Sequence, residues 1–281
     1  MPESTVDVLV SAIITTRNEG RNIEDCLQSI KHQTYHQDKI EIIVVDNNST
    51  DRTKEVARKY TDKVYNFGPE RSAQRNFGVK QAKGKYILYL DADMVLFKDV
   101  IEKCVERCEV NDSIVALYIP ERIIGEGFWI KVRDFERSFY TGTCIDCVRF
   151  VRRDKFLEIG GFDESLTGPE DWDFDRRIRK VGKVDIIKSP IYHNEGEFNL
   201  RRYLEKKSYY CKSFDKYIQK WGKNDKIIKK QLGFWCRYFG VFMENGKWKR
   251  LVKHPRLTIG MYSLRFMVGI EYFTYKNRRK Q

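Results

Sequence analysis

An α/β fold with a mostly parallel central sheet, followed by an all-helical C-terminal segment, is predicted by three features of this 281-residue sequence. Strand-like and helix-like patterns alternate through the first 95 residues. A polar cluster follows each strand-like run. Charge and aromatic residues are unevenly divided: residues 201–281 hold 22 Lys+Arg, 5 Asp+Glu and 17 aromatics, whereas residues 1–200 hold 31 bases and 35 acids.

The elements follow in order. Val8–Thr15 is apolar and rich in β-branched residues, as in a strand buried on both faces. Asn22 can cap a helix reaching about His32, with Ile23, Leu27 and Ile30 on one side. Ile40–Val45 is a second strand, and Asp46-Asn47-Asn48-Ser49 is turn chemistry. Thr50 or Asp51 opens a helix to about Tyr60. Val64–Phe67 is a third, short strand. Ser72–Ala82 reads as a helix stopped by Gly84, and Tyr86–Leu90 as a fourth strand. This alternation implies a parallel sheet with helices on both faces, and ligands in such sheets bind at the carboxyl ends of the strands. The clusters Thr15–Glu19, Asp46–Ser49, Gly68–Arg71 and Asp91–Asp93 fall there. After Pro120 the spacing predicts a helix over Phe128–Tyr140, a strand over Ile145–Val151, a helix over Asp171–Val181 ended by Gly182, and a strand over Lys183–Ile187. From Asn199 onward only helical periods appear, and Lys207 falls within an apolar stripe of one of them. Leu257–Tyr275 is apolar over most of its circumference, interrupted by Arg265 and Glu271.

Composition excludes several classes. With 41% hydrophobic and 33% charged residues the chain can build a core, and wholesale disorder is excluded. Seven cysteines are too few for a disulfide scaffold; their odd number and the lack of a leader pattern predict free thiols in a reducing, cytoplasmic setting. Cys144-x-x-Cys147 lacks a second pair and reads as structural, not as a zinc site. No apolar run reaches 18 residues without a charge, so no membrane span is expected. The basic, aromatic tail suits an anionic surface, either lipid headgroups or nucleic acid.

Two acidic sites carry the chemistry. Asp91-Ala92-Asp93 follows the strand Tyr86–Leu90, and side chains two apart on an extended chain point the same way. Such hard oxygen ligands suit Mg²⁺ or Mn²⁺ bridged to a diphosphate; alone, the pair also fits a solvated turn. Glu170-Asp171 follows Gly160-Gly161-Phe162-Asp163 and the Gly168-Pro169 turn. A carboxylate there is either a charge favoured at a helix N-terminus or a general base for an acceptor hydroxyl.

Taken together, Thr15-Thr16-Arg17-Asn18-Glu19, the run from Val44-Val45-Asp46 to Thr50-Asp51, the loop Arg71-Ser72-Ala73-Gln74-Arg75-Asn76-Phe77-Gly78, Leu90-Asp91-Ala92-Asp93, Gly160–Asp163 and Glu170-Asp171-Trp172-Asp173 resemble the inverting, metal-dependent glycosyltransferases of family 2, with the GT-A fold. The match runs in order from residue 9 to about 195. The resemblance implies a catalytic domain over 1–198, with a nucleotide-sugar half to about 95 and an acceptor half over 96–198, and a helical membrane-proximal region over 199–281. It implies that Thr15, Arg17 and Glu19 line the nucleotide pocket, that Asp46 contacts the base, and that Arg71 and Arg75 lie near the diphosphate. Asp91 would contact ribose or metal-bound water, Asp93 would hold the divalent cation, and His193 would complete its shell. Asp171 would be the base, with Glu170 touching acceptor or sugar. The Gln-x-x-Arg-Trp motif of processive synthases is absent, so a single addition is expected.

The tail makes the chain similar to peripheral enzymes that act on polyprenyl-phosphate or -diphosphate carriers at the cytoplasmic face of a membrane. Arg137, Arg149, Lys206 and Lys207 are the cations expected to hold a lipid phosphate. The donor would be GDP- or UDP-linked. A soluble glycan or protein acceptor is the second reading. A basic nucleic-acid-binding protein is the third, but no nucleic-acid motif accompanies the charge.

Overall fold

The computed structural model describes residues 8–278. In chain order the elements are β1 (Val10–Thr16), α1 (Ile23–Lys31), β2 (Ile40–Asp46), α2 (Thr53–Ala57), β3 (Val64–Asn66), α3 (Arg71–Gln81), β4 (Tyr86–Asp91), β5 (Met94–Leu96), α4 (Val100–Glu109) and β6 (Ile114–Tyr118). Then come β7 (Glu121–Glu126), α5 (Phe128–Arg137), β8 (Phe150–Arg152), α6 (Arg153–Glu158), α7 (Glu170–Ile178), β9 (Lys183–Ile186) and β10 (Ile191–Glu197). The remainder is helical: α8 (Leu200–Tyr210), α9 (Phe214–Trp221), α10 (Lys226–Leu232), α11 (Val241–Met243), α12 (Trp248–Lys253) and α13 (Pro255–Arg278).

Contacts divide the chain into two compact units: residues 1–121, 147–164 and 173–194, and residues 122–146, 165–172 and 195–281. The division differs from the expected boundary after 198. Segment 122–146 groups with the C-terminal helices because Val132, Phe135, Phe139 and Ile145 share one apolar core with Val241, Phe242, Met261 and Leu264.

In the first unit a seven-stranded sheet runs β3-β2-β1-β4-β8-β6-β9. β1 is parallel to β2 and β4, β2 to β3, and β6 to β9; only β8 lies antiparallel to its neighbours β4 and β6. The mostly parallel α/β sheet is therefore as expected. Alternation along β1 feeds two cores. Val10, Ala12 and Ile14 pack with Ile23, Leu27 and Ile30 of α1 and Ile101 and Cys104 of α4. Ile13 joins Val79 of α3 and Phe174 and Ile178 of α7 on the other face. α3 lies close to β1 because of Gly78, where a Cβ would stand 2.5 Å from Ile13 Cγ2.

Two expected elements are shorter. The strand predicted over Ile145–Val151 is confined to Phe150–Arg152, because the backbone before it closes turns: Thr143 N–H donates to Tyr140 O and Asp146 N–H to Thr143 O. The helix expected from Thr50 or Asp51 starts at Thr53, since the Asp51 carboxylate accepts the Thr53 N–H at 3.0 Å. α4 and β6 were not read from the sequence, nor was the three-stranded sheet β5-β10-β7.

The second unit contains α5 and α8–α13. Among the described residues no helix is long and apolar enough to cross a membrane. α13 buries Met261, Leu264 and Arg265 but exposes Ile259, Phe266, Ile270 and Phe273. Their spacing of seven, four and three residues places those four on one face.

Candidate active site

Register brings the predicted ligand-binding ends together. Thr16 stands opposite Asp46, and Thr15 opposite Asp91. The Thr15 hydroxyl donates to Asp91 Oδ1 at 3.0 Å. From α3, Arg75 donates to the same oxygen at 3.1 Å, and Arg71 reaches Oδ2 at 3.4 Å. Arg75 is fully buried, with its guanidinium 4.9 Å from the Tyr89 ring centre and 5.0 Å from that of Phe162. Burial works to raise the Asp91 carboxyl, but Arg75, then Arg71, Arg149 and His193, hold it well below the ordinary carboxylate range. Asp91 is thus a fixed anion already matched by two arginines.

Asp93 differs. It occupies the short turn into β5, where its carbonyl accepts the Asn194 N–H at 2.8 Å. Its Oδ2 is 3.0 Å from His193 Nε2, and His193 Nδ1 is 3.1 Å from Glu121 Oε1. β10 presents His193 directly opposite Met94 of β5. Burial opposes a charged imidazole, but Asp93 and Glu121 raise His193 to about 10, so it is an imidazolium at neutral pH. Asp93 Oδ1 is buried and, among the described residues, has no hydrogen-bond partner. A buried carboxylate oxygen without a donor fits a hard divalent cation.

The three expected metal ligands therefore separate. Asp91 is turned to Arg71 and Arg75, and both His193 nitrogens are engaged by carboxylates. Among the described residues no set of three His, Cys, Asp or Glu groups converges as a preformed cage. Asp93 is the direct ligand candidate, with His193 orienting it.

The loop after β1 is fastened to the loop after β2. Asn18 N–H donates to Ser49 Oγ at 2.7 Å, Glu19 N–H to Thr53 Oγ1 at 2.9 Å, and Gly20 N–H to Asp51 at 3.0 Å. Asn22 stands at the start of α1, but its amide binds Glu19 at 2.7 Å and does not cap the helix. Arg17 is exposed, with no side-chain hydrogen bond or ion pair among the described residues. Asp46 is wholly buried, and its oxygens accept the Ser49 N–H (2.7 Å) and hydroxyl. Its carboxylate thus shapes the turn that follows β2.

Two residues that sequence reasoning missed tie the motifs together. Asn76 accepts the Phe162 N–H at 2.8 Å and donates to the Phe162 carbonyl and to Glu164, each at 2.9 Å. Gly161 is required beside it: its φ is +69°, and a Cβ would stand 2.5 Å from Asn76 Oδ1. Glu121, the partner of His193 and of Arg149 at 3.6 Å, had no signal beyond a lone Glu after Pro120.

Glu170 and Asp171 form the first turn of α7, where the helix dipole favours carboxylates. Glu170 is buried and Asp171 half-buried. Trp172, next in the chain, donates its indole N–H to Ile145 O at 3.2 Å and stacks on Phe214. Of the cations expected to hold a phosphate, Arg149 belongs to the first unit and is buried. Arg137, Lys206 and Lys207 belong to the second. Arg137 is bound to Asp146 at 2.8 Å, Lys206 is exposed, and Lys207 is half-buried with its ammonium 5.2 Å from the Tyr203 ring centre.

Residues 11–162 match the family described as Glycosyl transferase family 2. Glycosyltransferase AglE of Haloferax volcanii is 38% identical over 188 residues, which cover 62% of this chain and 62% of that relative's length. The uncharacterized glycosyltransferase MJ1057 of Methanocaldococcus jannaschii is 28% identical over 253 residues, 82% of this chain and 85% of that one. Among solved structures, the mannosyltransferase PcManGT from Pyrobaculum calidifontis, in complex with GDP-Man and Mn²⁺, is similar with a TM-score of 0.63 at 19% identity, covering 95% of this chain and 85% of that one. S. aureus TarS 1–349 in complex with UDP-GlcNAc is similar with a TM-score of 0.59 at 18% identity, covering 98% and 92%. The fold likeness, the matched span and the ordered motifs at the strand ends lead to one assignment: the chain belongs to glycosyl transferase family 2.

Proposed function

We propose that this chain transfers one sugar, with inversion, from a GDP- or UDP-sugar to an acceptor linked to polyprenyl phosphate or diphosphate, working peripherally at the cytoplasmic face of an anionic membrane. The carrying observation is the asymmetry at the end of β4. Asp91 is neutralised by Arg71 and Arg75, while Asp93 keeps one buried oxygen with no partner among the described residues. Asp93 would hold Mg²⁺ or Mn²⁺, with His193 orienting its carboxylate. A bound dication there supplies charge neutralisation for the departing diphosphate without a protonated acid.

The chain's own residues do the rest. Thr15, Arg71 and Arg75 fix Asp91, and exposed Arg17 is available to the nucleotide. The acceptor oxygen attacks the anomeric carbon from the face opposite the diphosphate. The new C–O bond forms as the old one breaks, and the electron pair leaves on the β-phosphate. An acceptor hydroxyl gives its proton to Asp171.

The donor is tested by exposing the purified chain to GDP- and UDP-sugars with and without Mn²⁺. One nucleotide class should raise the melting temperature in the presence of the metal, since ligand at about 100 times its Kd adds about 2.7 kcal/mol. No stabilisation and no metal-dependent hydrolysis with any nucleotide sugar would refute the reading.

Membrane binding is favoured by the exposed face of α13 and by exposed Phe234, Trp235 and Trp248 among the tail's bases. The chain should sediment with anionic vesicles at low salt and be released by high salt or alkaline carbonate, because the charge contribution is screened. Remaining in the supernatant beside such vesicles at low salt would exclude a peripheral site of action.

A further inference from the structure

The second unit contains a charge cluster that does not balance. Its carboxylates are Glu136 and Glu195, and each already has an arginine. Arg133 reaches Glu136 at 3.1 Å and Glu195 at 2.9 Å, while Arg265 reaches Glu136 at 2.7 Å. Tyr140 adds its hydroxyl to Glu136. Two further cations stand beside it: Lys207 of α8 shares the Tyr203 ring with Arg133, and Arg237, of the π-helical turn Cys236–Gly240, accepts Arg265 at its backbone carbonyl. Among the described residues neither has a hydrogen bond or ion pair to a carboxylate. What holds them is aromatic: Lys207 Nζ lies 5.2 Å from the Tyr203 ring centre and the Arg237 guanidinium 5.9 Å from that of Trp172. Arg133 is on the same Tyr203 ring at 4.8 Å, so two like charges share one aromatic side chain.

A folded chain has little reason to gather like charges in a partly buried cluster unless something anionic compensates them. We infer that Lys207 and Arg237 form a phosphate-binding site, with Arg133 and Arg265 engaging the two glutamates and leaving these cations for the ligand. A planar guanidinium and a mobile ammonium together suit a phosphate's several acceptor oxygens. Supporting this, burial, then Arg133, pushes Lys207 down to about 7, despite Glu136 pulling the other way. Burial likewise lowers Arg237 from its ordinary value. A neighbouring anion would favour the charged form of both. The ligand's source, a lipid carrier, rests on the proposed acceptor; the site itself rests on the charges.

The test measures binding of farnesyl phosphate, farnesol and inorganic phosphate by calorimetry to the full chain and to Lys207→Met and Arg237→Met. Farnesyl phosphate should bind the wild type, farnesol at least tenfold more weakly, and each substitution should cost at least tenfold for the phosphate probe. Lys207→Arg should restore binding. In phosphate-free buffer both Met variants should melt no lower than wild type, and added probe should stabilise only the wild type. Mn²⁺-dependent nucleotide binding should be unchanged in both. Variants that bind the probe as well as wild type, or that melt lower in phosphate-free buffer without losing probe affinity, would overturn the site. Inorganic phosphate binding as tightly as farnesyl phosphate, with the same Lys207 dependence, would uphold the site and remove the lipid carrier as its source.

Discussion

Asp93→Ala is expected to abolish sugar transfer and Mn²⁺-dependent nucleotide binding while leaving the fold intact. The residue is on a surface-proximal turn, and its substitution removes no apolar core. It does remove the buried oxygen that has no partner among the described residues and the acceptor of His193 Nε2. Without a cation the diphosphate would meet fixed carboxylates with nothing between, so donor affinity and turnover should fall together. Asp91→Ala should behave differently. It strips the shared partner from Arg71 and from buried Arg75, so it should lower stability as well as activity, breaking a buried pair costing about 3–5 kcal/mol. The measurements are the urea midpoint and nucleotide affinity with and without Mn²⁺ for both variants. Metal-dependent nucleotide binding at wild-type affinity in Asp93→Ala, or full wild-type activity in excess EDTA, would remove the metal assignment.

This contrast shows where the sequence was legible. Strand β4 was readable because Tyr86–Leu90 is a short, unbroken apolar run, and a strand's two-residue period puts Asp91 and Asp93 on the same side in anticipation. The strand period alone does not tell them apart. The structure separates them because Arg75, one turn beyond Arg71 on α3, reaches back across the sheet end, and a contact 16 residues distant in sequence has no local period. β10 was invisible for a related reason: Ile191–Glu197 carries His, Asn and two Glu, and the partners of His193, Asn194 and Glu195 (Asp93, Glu121, Asn22 and Arg133) are distant in sequence, so the segment looks like a loop in the chain. Glu121 starts β7 and gives no pattern at all. In the tail, Lys207 was conspicuous as a base inside an apolar stripe, and the structure gives the reason in its contact with Tyr203. Arg237 was not, because the π-helical turn at Cys236–Gly240 shifts the helical phase by which side-chain faces are read.

Asp171→Asn should separate the two chemistries that a lipid-linked acceptor allows. A sugar hydroxyl must lose its proton as the glycosidic bond forms, so a positioned base matters; its loss should cost at least ~100-fold in turnover, the low end of general-base catalysis. A carrier phosphate is already ionised at neutral pH and needs no base. For such an acceptor Asp171→Asn should cost far less, and Lys206→Ala with Lys207→Ala should dominate through acceptor KM, because cations hold the attacking group. Asp171 is half-buried in the first turn of α7. Asn keeps the shape and the hydrogen-bonding capacity of the side chain, so the variant should fold and bind donor normally. The comparison is made with one purified acceptor at a time: polyprenyl phosphate, then a polyprenyl-diphosphate sugar. A large Asp171 effect confined to the second acceptor identifies a hydroxyl as nucleophile. A lysine effect confined to the first identifies the phosphate. Wild-type turnover by both sets of variants on both acceptors would mean that neither α7 nor α8 touches the acceptor, and the acceptor assignment would fall while the donor assignment at Asp93 stood.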